Sequence, residues 1–150
     1  MDLVFTLCLP RERASVPIVR HLVQGSLERL GVDPECVADV EVAVTEACSN
    51  VLKHAEGPED EYEVGFEISD ARCEIRVTDT GAGFDHESLA GSVHPSAEGG
   101  RGIQLMRSLV DGVQFISEPQ RGTVVHLVKE LKLSDHSPLN RLGNKVPALY

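Results

Sequence analysis

Two hydrophobic periods alternate along the chain. Leu3, Phe5, Leu7 and Leu9 recur at every second position, which predicts a half-buried strand closed by Pro10. From Ser15 to Leu30 the spacing changes: Val16, Val19, Leu22, Val23, Leu27 and Leu30 share one helical face, and Gly31 follows as a C-terminal stop. Asp33 before Pro34 is an N-cap signal. The second helix runs to about His54, with Val37, Val40, Val44, Ala47 and Val51 facing inward. An acidic turn at 56–63 leads into two alternating runs, Tyr62/Val64/Phe66/Ile68 and Cys73/Ile75/Val77, joined by Ser69-Asp70-Ala71-Arg72 as a hairpin. A long Gly/Ser/His/Pro-containing stretch extends to about Gly100. A third helix then passes through Ile103, Met106, Leu109 and Val110, and two last strands, 113–117 and 122–129, follow. The order β-α-α-β-β-loop-α-β-β predicts an α+β fold, a two-layer α/β sandwich with helices on one face of a mixed, mostly antiparallel sheet. One domain is expected over 1–132. Residues 133–150 show no clear period and read as a C-terminal tail of unknown role.

Composition narrows the function classes. The chain has 150 residues, 41% hydrophobic and 25% charged, which suits one globular domain. Its formal net charge of −10 gives a poor electrostatic footing on nucleic acid or an anionic membrane. No apolar run approaches the roughly 18 residues of a membrane span, and Met1-Asp2-Leu3 lacks the basic start of a signal peptide. A cytoplasmic protein is therefore expected, with no direct nucleic-acid or membrane partner. Cys8, Cys36, Cys48 and Cys73 are scattered without a Cys-x-x-Cys pair, so free and mostly buried thiols are expected rather than a zinc site or disulfides.

Three constellations carry candidate chemistry. On the second helix, Glu46, Asn50 and Lys53 form a polar stripe beside the buried one. Such a stripe can be simply the wet side of a helix. It can equally pair an oxygen ligand for Mg²⁺, Asn50, with a proton acceptor, Glu46. Asp79-Thr80-Gly81-Ala82-Gly83 follows directly on a strand. This is either an ordinary Gly-rich exit or a pure acceptor for an amino group such as that of adenine, with glycines admitting close approach. It matches neither a Walker A loop nor a Rossmann fingerprint. Glu98-Gly99-Gly100-Arg101-Gly102 opens the third helix. It is either a plain flexible loop or a set of backbone NH groups facing phosphate, with Arg101 adding charge. The preceding residues, 85–98, are long for a structureless loop inside a compact domain and read as a lid or as disordered.

The order of these pieces, Glu-x-x-x-Asn, Asp-x-Gly-x-Gly, a lid, Gly-x-Gly on a helix and Gly122-Thr123 in a late strand, resembles the GHKL ATPase superfamily over roughly residues 5–130. Within these 150 residues neither a transducer domain nor a phospho-accepting helix pair is expected. The strand-helix-helix start, "EACSNVLKHA" and "GGRGIQLMRSLVD" are most similar to stand-alone bacterial anti-sigma factor/serine-protein kinases of the SpoIIAB and RsbW type. That resemblance implies the Bergerat ATP-binding fold with ATP and Mg²⁺. It implies Glu46 as general base and Asn50 as magnesium ligand. It implies Asp79 as the adenine-reading carboxylate assisted by Thr123, Gly81 and Gly83 as the first glycine box, and Gly100, Arg101 and Gly102 as the lid end over the phosphates. The implied partners are a STAS-type anti-anti-sigma protein, phosphorylated on serine, and a sigma factor, with a homodimer as the assembly.

One feature departs from the family. The stretch Ser92-Val93-His94-Pro95-Ser96-Ala97-Glu98 lacks the threonine- and lysine-containing lid of some such kinases. This keeps open a regulatory binding module, nucleotide-stabilised or nucleotide-free, that sequesters its partner without phosphotransfer. A detached histidine-kinase ATPase domain is a third class. Arg11, Arg13 and Arg20 near the first helix read as solvated arginines or as contacts for an acidic partner.

Overall fold

The alternating runs pair into one five-stranded sheet, β1 (Asp2–Pro10), β2 (Glu61–Ser69), β3 (Arg72–Asp79), β4 (Gly112–Glu118) and β5 (Gly122–Glu130), in the order β1-β2-β3-β5-β4. The computed structural model describes residues 2–53, 61–79, 98–118 and 122–143. All four pairings are antiparallel, so the mixed component expected of the sheet is not found among the described strands. The described residues include four helices: α1 (Ser15–Arg29), α2 (Pro34–Lys53), α3 (Glu98–Leu109) and the short α4 (Pro138–Gly143).

The core lies between the helices and one sheet face. Val37, Val40, Val44, Ala47 and Val51 of α2 are buried against Tyr62, Val64, Phe66 and Ile68 of β2 and Cys73, Ile75 and Val77 of β3. Val19, Val23 and Leu27 of α1 and Met106 of α3 are fully buried in the same layer. Leu22, expected on the inner face of α1, is 40% exposed. Phe5 stacks on Phe66 across β1 and β2 at 4.7 Å between ring centres.

The local stop signals act as their chemistry requires. Gly31 takes φ +73°, and its NH donates to the Glu28 carbonyl while that of Val32 donates to Leu27, closing α1. Asp33 Oδ1 accepts the Glu35 NH at 2.9 Å at the start of α2. Between β2 and β3, Asp70 (φ 49°) and Ala71 (φ 63°) form a two-residue turn with both centres left-handed, the geometry that matches strand twist.

Two segments differ from the sequence-based expectation. The glycines at 99, 100 and 102 lie inside α3, not in a loop before it. Packing of α3 on α2 overrides their low helix propensity. The first part of the expected tail is folded: Leu133 bridges Val32, Ser134 NH donates to the Gly31 carbonyl at 2.8 Å, and the buried Ser137 hydroxyl donates to the Leu30 carbonyl. These hydrogen bonds hold 131–140 on the α1–α2 turn, and Leu131, Leu133 and Leu139 pack on the core at a spacing that follows no regular period. The cysteines are free, Cys8 exposed and Cys36, Cys48 and Cys73 buried. Burial pushes the Cys48 and Cys73 thiols up to about 12.

Candidate functional site

The second helix supplies two of the expected groups. Glu46 and Asn50 are four residues apart on α2 and therefore share one face. Asn50 is 9% exposed, unusual burial for an amide on a helix face, and Glu46 is half-buried beside it. The wet-side alternative for this stripe fits Lys53, which is exposed, better than it fits Asn50.

The Glu46 carboxylate reaches α3. A Cβ on Gly102 would stand 2.8 Å from Glu46 Oε2, closer than side-chain carbons come to any atom. The helix pair α2–α3 thus brings the first and third constellations together, and the missing side chain at Gly102 is what lets the carboxylate in. Arg101, next in the same turn, is exposed. Gly100 lies in the first turn of α3.

Asp79 ends β3 in a row that crosses four neighbouring strands: Leu9, Tyr62, Asp79 and Thr123 are successive register partners. The register therefore places Thr123 opposite Asp79 on the neighbouring strand. Asp79 alternates with the buried Cys73, Ile75 and Val77, so it points into the helix layer, where it is 4% exposed. Gly81, Gly83 and the lid stretch 85–97, together with His54, lie outside the described residues.

One neighbour of Asp79 comes from outside the three constellations. Arg11, which the sequence offers as a solvated arginine or a contact for an acidic partner, turns inward and forms an ion pair with the Asp79 carboxylate, the two side chains being 4% and 5% exposed. No local pattern announces this contact, because it depends on the register that sets Leu9, Tyr62 and Asp79 side by side. The loop that carries Arg11 is anchored. Glu12 NH donates to the Pro10 carbonyl at 2.7 Å, and the Ser15 hydroxyl donates to the Glu12 carbonyl at 2.6 Å. With its proton committed there, Ser15 Oγ accepts from the Tyr62 hydroxyl at 2.5 Å. Burial raises the Tyr62 phenol to about 12, so it remains a donor at neutral pH. Arg20, by contrast, stays at the surface, 3.6 Å from Glu41.

A family model described as the histidine kinase-like ATPase domain matches residues 9–129, from the end of β1 through nearly all of β5. The chain belongs to that family. It is 33% identical over 136 residues to the serine-protein kinase RsbW of Bacillus pumilus, covering 82% of this chain and 83% of that one. The RsbW of Halalkalibacterium halodurans is 32% identical over 133 residues, covering 83% and 81%. Among solved structures, the RsbU and RsbW domains of Rv1364c from Mycobacterium tuberculosis align with a TM-score of 0.66 at 18% identity, over 86% of this chain and 32% of that longer one. The SiaB–SiaC complex from Pseudomonas aeruginosa aligns at 0.61 and 14% identity, over 83% and 87%. These two likenesses bear on the fold. The architecture is that of the RsbW-type ATP-binding domain, an α+β layer of helices on an antiparallel sheet. Among the described residues, no helix is long and apolar enough to cross a membrane.

Proposed function

We propose that this chain is a Mg-ATP-dependent protein-serine kinase that also acts as an anti-sigma factor, with a STAS-type anti-anti-sigma protein as its substrate. The observation that carries the reading is the joined pair on α2. Asn50 is buried one helical turn from Glu46, and the Glu46 carboxylate is aimed across at α3. The similarity to RsbW serine-protein kinases at 32–33% identity supports the same reaction.

The residues suit the chemistry. Asp79, an acceptor with no proton to give, suits the exocyclic amino group of adenine, with Thr123 next to it on β5. Glu46 takes the proton of the attacking serine hydroxyl as that oxygen closes on the γ-phosphorus. The bond from phosphorus to the ADP oxygen breaks, leaving phosphoserine and ADP. Asn50 offers an oxygen of the kind Mg²⁺ prefers, and a magnesium ion bound there would neutralise charge on the phosphate oxygens. Gly81, Gly83, Gly100 and Arg101 are proposed to line the phosphate end, and the assembly is proposed to be a homodimer.

Glu46→Gln keeps the shape of the side chain and removes its basicity. It is expected to bind ADP normally and to form phosphoserine on the STAS partner about 10²–10⁴-fold more slowly. Transfer at the normal rate removes Glu46 from the mechanism. A stable partner complex that never acquires phosphate, with wild-type protein and ATP, favours the sequestering module instead.

A further inference from the structure

We propose that Arg11 competes with the nucleotide base for Asp79, so that the free protein closes its own base pocket with a guanidinium that an adenine nucleotide must displace. The inference rests on the reading of Asp79 as the base-recognition carboxylate.

Three observations carry it. First, the pair is buried on both sides, 4% and 5% exposed. A buried carboxylate is tolerated when a cation neutralises it, so the guanidinium stabilises Asp79 while no ligand is present. Second, the contact is made across the sheet. Arg11 follows β1 and Asp79 ends β3, with Tyr62 of β2 between their strands in the register row. The arginine side chain therefore lies over β2, on the helix-facing side where Asp79 points. A purine amino group approaching Asp79 from the helix layer would meet the guanidinium already on that carboxylate. Third, the guanidinium has somewhere to go. A cavity of about 570 Å³ opens between the 11–17 segment and Ser49, Leu52 and Lys53 of α2, and Arg11 forms part of its wall. Rotation of the side chain alone moves the charge from Asp79 toward this space, because hydrogen bonds at Pro10, Glu12 and Ser15 hold the backbone of the loop.

The consequence is a lowered nucleotide affinity. When the binding-competent form is a fraction of the population, the apparent dissociation constant is the intrinsic one divided by that fraction. An Arg11-closed form favoured by about ten to one weakens binding about tenfold.

The test is calorimetric titration of the full chain with ADP and Mg²⁺, with folding of each variant checked by circular dichroism. The variants are Arg11→Ala, Arg11→Lys, Asp79→Asn and the Arg11→Ala/Asp79→Asn double. Arg11→Ala is expected to bind ADP about tenfold more tightly, Arg11→Lys to show a smaller gain, and the gain to vanish in the double variant. If Arg11→Ala does not fold, the gain in Arg11→Lys and its loss on adding Asp79→Asn carry the same comparison. Unchanged or weaker binding in a folded Arg11 variant, while Asp79→Asn abolishes binding, overturns the competition and leaves the base site standing. ADP binding indifferent to Asp79→Asn, or absent in every folded variant, overturns the site reading and the competition with it.

Discussion

Gly102→Ala isolates the placement of the Glu46 carboxylate. The added methyl carbon would lie 2.8 Å from Oε2 and 3.8 Å from Cδ of Glu46, whereas ordinary contact begins near 3.4 Å. The carboxylate therefore has to retreat from α3 by roughly 0.6 Å, and the atom displaced is the far end of a flexible side chain. Folding is little affected: moving that end is cheap, and alanine is about 0.8–1 kcal/mol more favourable than glycine within a helix. Proton transfer is affected more, since a misplacement of about 1 Å can cost about 10²-fold. A fall in phosphotransfer of about 10- to 100-fold is predicted, about 1.4–2.7 kcal/mol on the barrier, with a denaturation midpoint unchanged or raised. Single-turnover formation of phosphoserine on the STAS partner measures the first quantity, and urea unfolding the second. A folded Gly102→Ala protein that transfers phosphate at the wild-type rate refutes the argument that this glycine makes room for a working base.

Two further predictions concern stability. Ala71 sits at φ 63° in the second position of the β2–β3 turn, where glycine is the preferred residue. Ala71→Gly is expected to stabilise the fold by about 0.5–1 kcal/mol, the left-handed strain relieved exceeding the added unfolded-state entropy, and an unchanged or lowered urea midpoint contradicts this. His126 on β5 is held below its ordinary value of 6.5 by burial first, with Arg76 and Arg72 acting in the same sense and Glu74 opposing them. The unfolded chain binds the proton more readily, so this residue's contribution to stability is full above 6.5 and is lost as pH falls through the depressed folded value. Unfolding free energy is expected to rise with pH toward 6.5 and to lose that rise in His126→Gln, and an NMR titration of His126 with a midpoint at or above 6.5 removes the basis for the trend.

The parts of this molecule legible in the sequence are those governed by local periods. Val37, Val40, Val44, Ala47 and Val51 repeat at helical spacing and are buried as that spacing demands. The same holds for the alternation in β2 and β3 and for the left-handed Gly31. Glu46 and Asn50 were readable as one face because four residues make about one turn. What stayed hidden depends on distant contacts. The Arg11–Asp79 pair follows from strand register, a property of three segments together. The helical state of the glycines in α3 comes from packing on α2, which no propensity reports. Residues 131–140 are ordered by hydrogen bonds to the Leu30–Asp33 turn and by Leu131, Leu133 and Leu139 against the core, an irregular spacing that gives neither a strand nor a helix period.

Calorimetric titration with ADP, with and without Mg²⁺, decides whether α2 and β3 form a magnesium-dependent adenine-nucleotide site. Wild-type protein is predicted to bind ADP more tightly when Mg²⁺ is present, and a folded Asn50→Ala variant to lose that dependence. Absence of binding at millimolar ADP, or the same magnesium dependence in Asn50→Ala as in the wild type, shows that α2 and β3 form no such site.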